Sequence, residues 1–235
     1  MEQFFRTYLL FGADAMEILK NSHVAIFGVG GVGSFSAEAI VRSGVGEVTL
    51  VDFDTVDITN LNRQIPALLS TVGELKTEVM KERLLSINPN LKINIFSQKY
   101  LPENSGDFFK AKYDYVVDAI DIVTSKIHLI KTCIDKGIPV ISSMGMGNKT
   151  DPSKIQITDL SKTSMCPLAK VMRKELRDRG IINLDVVYST EEARKPVESI
   201  PSSGKREVAA SCAFVPSVGG LFMASFVIRK LAGEI

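Results

Sequence analysis

A glycine run, Gly28-Val29-Gly30-Gly31-Val32-Gly33-Ser34, follows directly on the short apolar run 23–27. A chain that turns from strand into helix beside a phosphate needs residues without a Cβ, so that backbone can approach the anion. The start of the helix then offers unpaired N–H groups and the positive end of its dipole. Asp52 lies 24 residues after Gly28, at the end of a second apolar run, 47–51. That is close to the spacing of about 20 at which an acidic side chain takes the ribose hydroxyls of a bound nucleotide. Glycines alone would make only a tight turn. With strand, helix and acid in place, they read as a nucleotide site.

The segment after Asp52 separates a redox dinucleotide from a triphosphate. It runs Asp52-Phe53-Asp54-Thr55-Val56-Asp57-Ile58-Thr59-Asn60-Leu61-Asn62-Arg63-Gln64. A triphosphate carries about four negative charges, which call for Arg and Lys held close and a bridging metal. Asp54, Asn60 and Arg63 follow the ribose acid closely enough to share its pocket, and Lys76 opens the next helix. Asp121 stands just past the strand 113–118, where a Mg²⁺ ligand is wanted. This ion takes one or two carboxylates and completes its shell with phosphates and water. Taken singly, Arg63 could cap a helix and Lys76 could be a solvated helix residue.

These side chains need a frame, and the hydrophobic spacing supplies one. Residues 6–20, 34–42, 71–85 and 123–135 carry helical periodicity; 23–27, 47–51, 91–96, 113–118 and 138–141 read as strands. Strands alternating with helices predict an α/β fold, a mostly parallel sheet covered on both faces. The texture changes near residue 150. A strand over 155–160, a basic helix over 167–179 and a strand over 184–188 precede a charged segment rich in Pro, Ser and Gly, 189–206, read as a mobile surface loop. Residues 211–231 return to the core. The expected organisation is one domain over 1–235, with a nucleotide-binding core (1–150) and a substrate-side extension (151–235) holding the loop 189–210 and a C-terminal helix.

Composition excludes several classes. At 45% hydrophobic residues the chain is not of the disordered type, and a net charge of +1 neither demands nor excludes a nucleic-acid partner. Cys133, Cys166 and Cys212 are odd in number and never form C-x-x-C, against a disulfide framework or a cysteine-rich zinc site and for a reducing, cytoplasmic setting. Residues 1–20 lack a secretory pattern. The apolar stretch 213–228 has a membrane span's length but contains Pro216, Gly219 and Gly220. It reads as a packed or dimer-facing helix, with peripheral membrane association as the alternative.

In the order G-x-G-G-x-G-S, D-x-D-x-V-x-x-x-N-x-x-R-Q, G-x-x-K, I-N-P and D-x-x-D, residues 6 to about 141 resemble the ubiquitin-activating-type (E1-like) adenylyltransferases, the superfamily that includes the ThiF and MoeB proteins. The resemblance implies a Rossmann-like doubly wound fold that binds ATP and Mg²⁺. It implies that Gly28, Gly30, Gly31, Gly33 and Ser34 hold the phosphates and that Asp52 binds the ribose. Asn60, Arg63 and Lys76 would neutralise charge at the phosphates, and Asp121 would hold Mg²⁺. Arg6 resembles the N-terminal arginine that reaches into a neighbouring subunit's site, which implies a homodimer.

The chain has no paired C-x-x-C motifs of the sulfur-carrier activators, and it lacks the length for a cysteine domain or an appended rhodanese domain. Its second half carries Asp151-Pro152-Ser153-Lys154-Ile155, Asp159-Leu160-Ser161-Lys162-Thr163, Cys166-Pro167-Leu168-Ala169, Val187-Tyr188-Ser189-Thr190-Glu191 and Phe214-Val215-Pro216-Ser217. With Met80-Lys81-Glu82-Arg83 upstream, these are similar to the tRNA threonylcarbamoyladenosine dehydratase branch. Cys166 stands where that branch usually has Asp. The resemblance implies adenylation of a threonine carboxylate on tRNA carrying threonylcarbamoyladenosine, then cyclisation within the modified base.

Other readings stay open on the residues alone. They are activation of a small protein's C-terminal glycine with a sulfurtransferase-type partner, an NAD-dependent oxidoreductase, and a scaffold with a vestigial ATP site. Cys166 has basic neighbours and reads as a structural thiol or a reactive one; Cys133 and Cys212 read as core, and His23 and His128 as structural. Residues 170–179 hold five basic and two acidic side chains, and Lys205-Arg206 ends the loop. This is a phosphate-binding face or a solvated helix face.

Overall fold

The computed structural model describes residues 2–198 and 209–235. His23–Phe27 (β1) and Glu47–Val51 (β2) have nearly every side chain buried, the pattern of strands covered on both faces. Lys92–Phe96 (β3), Tyr115–Asp118 (β4), Val140–Ser143 (β5), Ile155–Asp159 (β6) and Asp185–Ser189 (β7) complete a seven-stranded sheet of order β3-β2-β1-β4-β5-β7-β6. All neighbours pair in parallel except β6, which runs antiparallel to β7. The chain winds outward from β1 to β3, then crosses back to lay β4 on the other side of β1. In a doubly wound sheet this reversal opens a crevice at the carboxyl ends of the two central strands.

Helices cover both faces. Phe5–Asn21 (α1), Gly33–Arg42 (α2), Lys76–Ile87 (α3) and the last helix pack around Leu19, Ile40, Met80 and Val227. On the other face, Ser105–Phe108 (α4), Val123–Asp135 (α5) and Pro167–Arg177 (α6) close over Phe27, Phe108, Ile130 and Met172. The last helix, Phe214–Leu231 (α7), is long and apolar enough to cross a membrane, and half of it is buried against the sheet and α2. A Cβ on Gly220 would stand 2.2 Å from the Val32 carbonyl oxygen, so α7 approaches the start of α2 at backbone contact.

Several boundaries differ from the periodic reading. Thr71 ends a short 3-10 turn, Leu69–Thr71, and residues 72–75 are not helical: Gly73 has φ +93° and Thr55 bridges to Leu75, so α3 begins at Lys76. Helix α1 is broken at Gly12 (φ 81°, ψ 174°). The basic helix stops at Arg177, and Gly180 (φ +78°) turns the chain away. The expected loop 189–210 starts later than its composition suggests. Ser189 ends β7, and the buried Glu191 carboxylate accepts the N–H groups of Thr150 and Asp151. Residues 199–208 of that loop, with Lys205 and Arg206, lie outside the described residues.

Candidate active site

The crevice between β1 and β4 holds a cavity of about 460 Å³. Its floor is the turn from β1 into α2. Gly28 has φ +88°, and a Cβ there would lie 2.6 Å from the Ala119 carbonyl oxygen. A Cβ on Gly33 would lie 1.8 Å from the carbonyl oxygen of Gly28. These two glycines let the turn close on itself and on the end of β4. Gly30 differs: a Cβ there would make only ordinary contact, its nearest neighbour being the Gln64 amide at 3.7 Å, so the missing side chain leaves its backbone bare to the cavity space. That space, at the N-terminus of a ten-residue helix, suits an anion.

Asp52 ends β2 beside this cradle. Its Oδ2 accepts the Val29 N–H at 2.6 Å and its Oδ1 accepts the Asp54 N–H at 2.9 Å. Burial pushes the carboxyl above the ordinary carboxylate value, against these two bonds and Lys76, which pull it down. Asp54 faces the cavity and pairs with Lys76 Nζ at 2.9 Å; the lysine side chain is only 6% exposed. Lys76 is therefore held at the cavity wall by a carboxylate, with its other two donors to give.

Asp57 and Asn60 form a reciprocal cap on the short helical turn Ile58–Asn60. It fixes Asn60 Oδ1 on the Asp57 N–H, and Asn60 lines the cavity. Arg63 donates through Nη1 to the Thr59 carbonyl and to Asn62 Oδ1, both at 2.9 Å, which directs the guanidinium to the cavity rim. Asp121 is exposed at the opposite lip, and among the described residues its carboxylate has no hydrogen-bond or ion-pair partner. No group of three or more His, Cys, Asp or Glu side chains gathers among the described residues. A Mg²⁺ ion, which needs few protein ligands when phosphates supply the rest, fits such a lone carboxylate.

Gly28, Gly30, Gly31, Asp52, Asp54, Asn60, Arg63, Lys76 and Asp121 thus share one cavity. Gly33, Ser34 and Arg6 are not on its lining. Gly33 is a packing residue. Ser34 is buried, and its Oγ accepts the Ile65 N–H at 3.3 Å, so its side chain anchors the arginine segment rather than facing the cavity. Arg6 is exposed on α1.

The structure adds groups that spacing alone did not reveal. Gln64 lines the cavity, and its buried Oε1 has no partner among the described residues. Beneath Asp121, Asp118 and Lys126 form a fully buried ion pair at 2.7 Å, and Ser142 Oγ donates to the same carboxylate oxygen at 2.7 Å. The other Asp118 oxygen accepts the Ile120 N–H, so this cluster sets the turn that carries Asp121. The far wall is residues 143–147, pinned from behind by buried Lys149, whose Nζ donates to the Gly145 carbonyl at 2.9 Å. Burial lowers the Lys149 ammonium below its ordinary value. Lysines at helical or loop positions give no sequence signal of burial, which is why Lys126 and Lys149 escape a reading by pattern.

The thiols are placed away from chemistry. Cys133 is buried and its thiol is pushed up to about 12 by burial. Cys166 is buried behind Gly145 and is not on the lining. Cys212 is only half-buried, not full core, and its Sγ donates to the Lys149 carbonyl. His23 Nε2 meets Thr49 Oγ1, and His128 Nδ1 meets the Tyr100 hydroxyl, both inside the packing.

Known proteins match this architecture over its whole length. The chain is 47% identical to the tRNA threonylcarbamoyladenosine dehydratase of Bacillus subtilis (strain 168), over 100% of this chain and 96% of that one. It is 41% identical to the enzyme of the same name from Haemophilus influenzae, over 94% and 90% of the two chains. The crystal structure of Escherichia coli tRNA N6-threonylcarbamoyladenosine dehydratase in complex with ATP superposes with a TM-score of 0.90 at 35% identity, covering 99% of this chain and 95% of that one. The ThiF family model matches residues 4–234. The doubly wound sheet is that of the matched structure, and this chain belongs to the ThiF family.

Proposed function

We propose that this protein is an ATP-dependent tRNA threonylcarbamoyladenosine dehydratase. The observation that carries the reading is a single cavity with two unlike sides. One side is the glycine cradle with Asp52, Arg63 and Lys76; the other is the neutral wall of residues 143–147 with Leu168. The first suits a nucleoside triphosphate and the second an organic acceptor. Full-length relatives that carry the dehydratase name support the choice of acceptor.

A carboxylate is a poor electrophile. Its oxygen attacks the α-phosphorus of ATP, pyrophosphate leaves, and a mixed anhydride with AMP forms. An atom of the same ureido group then attacks the activated carbonyl carbon. The ring closes, the ureido group loses one N–H proton, and AMP departs with the former carboxylate oxygen. The sum is removal of one water at the cost of ATP hydrolysed to AMP and pyrophosphate. Attack within one molecule needs no protein nucleophile, because proximity supplies the advantage. The protein positions the two reactants and stabilises the phosphoryl charge, through Lys76, Arg63 and Asn60. Asp121 would hold Mg²⁺, which supplies further charge neutralisation when bound. Residues 1–150 supply the nucleotide side and the 143–147 wall, and 151–235 add Leu168 to that wall and Pro216 beside the cradle.

The protein acts as a homodimer in the cytoplasm. Phe5, Leu9 and Leu10 on α1 are 56%, 66% and 76% exposed, an apolar face that a second copy would cover. Arg6 lies on the same helix and would enter the partner's cavity. Burial of Cys133 and Cys166 disfavours either as the accessible thiol the sulfur-transfer reading needs and leaves only the half-buried Cys212 for that role. The test is incubation with Mg-ATP and tRNA bearing threonylcarbamoyladenosine, with unmodified tRNA as control. AMP release together with loss of one water from the modified nucleoside supports the reading. AMP–pyrophosphate exchange driven only by a small protein ending in Gly-Gly would move the function to carrier activation.

A further inference from the structure

Helix α6 starts at the mouth of the cavity. Leu168, in its first turn, lines the cavity, and a Cβ on Gly145 of the far wall would stand 3.8 Å from the Leu168 Cβ. The helix buries Ala169, Met172 and Leu176 in the core. That burial turns Lys170, Lys174 and Arg177 outward on one stripe, all three exposed. They are spaced by four and three residues, so they span about 10 Å along the axis, roughly three base steps of a nucleic-acid helix.

The other charges of the segment are spoken for within it. Arg173 donates through Nη1 to the Thr163 carbonyl at 2.7 Å. Arg179 pairs with Glu175 at 2.9 Å. The stripe residues have no ion-pair partner among the described residues. Asp178 at the C-cap is the acidic group left beside them, so the stripe is net positive. The apolar face of α6 is already in the core and leaves only Val171 as an exposed large apolar side chain on the helix, too little for a lipid surface, whereas a phosphate backbone needs only the cations.

We infer that Lys170, Lys174 and Arg177 form the docking surface for the tRNA backbone, holding the strand that carries the modified base across the mouth of the cavity. This rests on the reading that the acceptor is borne on tRNA. Such contacts position and do not read sequence. They also release counterions, by about 0.7–0.9 in the slope of log affinity against log salt for each phosphate neutralised.

The test compares the parent with the triple variant K170Q/K174Q/R177Q by filter binding to tRNA over a salt series. A second triple variant, K20Q/R42Q/K81Q, removes as many charges from helices on the opposite face of the sheet. The stripe variant should lose at least tenfold in tRNA affinity at low salt, and its salt slope should be shallower by about 2 to 3. KM for tRNA should rise with kcat little changed, while ATP affinity and melting temperature stay at parent values. The opposite-face variant should bind as the parent does. A stripe variant with the parent's slope and affinity overturns the inference, and so does an equal loss in the opposite-face variant. Binding of the parent to phosphatidylserine vesicles that is lost in the stripe variant while tRNA binding persists would assign the stripe to membranes instead. A parent that binds tRNA through the stripe yet releases no AMP would leave the surface standing and remove the dehydratase reading.

Discussion

The glycine cradle makes a prediction that separates folding from binding. Gly28 and Gly30 lie two residues apart in the same turn, yet a methyl group meets different surroundings at each. At Gly28 it would come within 2.6 Å of the Ala119 carbonyl oxygen, with the backbone at φ +88°. The left-handed conformation costs an alanine about 1–2 kcal/mol. Forcing a methyl into fixed backbone adds about 1–3 kcal/mol. The total of roughly 2–5 kcal/mol lowers the melting temperature of a chain this long by about 5–15 °C. At Gly30 the nearest protein atom would be 3.7 Å away. Gly30→Ala should therefore melt within about 1–2 °C of the parent, since surface changes without strain cost at most about 0.5 kcal/mol. Its methyl occupies the space a phosphate would take, and ATP affinity should fall at least tenfold, about 1.4 kcal/mol. Differential scanning calorimetry of the free protein and titration calorimetry with ATP measure the two quantities. A Gly30→Ala protein that binds ATP like the parent, or a Gly28→Ala protein equally stable, would refute the assignment of the cradle.

Other outcomes follow from the same geometry. Asp121→Asn should leave the melting temperature unchanged, because the carboxylate has no described partner, while lowering ATP-dependent AMP formation about 100-fold or more at saturating tRNA; an unaffected rate at low Mg²⁺ would exclude a metal role. Lys76→Met should cost activity on a similar scale, and Asp54→Asn much less, since Asp54 acts through the lysine; the reverse order in a steady-state assay would show the pair misassigned. Lys126→Met leaves Asp118 buried without its cation and should destabilise the fold by about 3–5 kcal/mol in urea titration. The double variant with Asp118→Asn should recover part of that loss, and a double variant as unstable as the single one would deny the coupling. His23 is held below the ordinary histidine value chiefly by burial. The unfolded chain then binds more protons than the folded one just below pH 6.5, so stability should fall on acidification through that window. His23→Gln should flatten this fall, and an unchanged pH profile would place the titration elsewhere.

What could be read without coordinates follows a physical division. The strands 23–27 and 47–51 and the helix 123–135 coincide with the observed elements, because their burial follows from local hydrophobic spacing. The start of α3 was not legible, since Leu75 and Thr71 continue a helical period that Gly73 and a bridge to Thr55 override. Nor was the antiparallel run of β6, a matter of which neighbour it meets and not of its own residues. At the site, residues that sit on loops next to the glycine run converge as their order suggests. Ser34 shows the limit: the residue after such a run reads as a phosphate ligand, yet its hydroxyl turns inward to the Ile65 N–H. Gln64 and the buried lysines become visible only when distant segments are brought together.

The contact between α7 and the start of α2 bears on synthesis as well as on catalysis. Pro216 lines the cavity, and Gly220 lies against the Val32 carbonyl, which belongs to the glycine turn. The first element of the nucleotide site is therefore braced by a helix far downstream in the sequence. A nascent chain can form the β1–α2 turn early, but its pocket has no wall on that side until α7 has emerged and docked. The fold thus couples completion of the nucleotide pocket to the docking of α7, and products truncated before α7 would hold an open, unbraced turn.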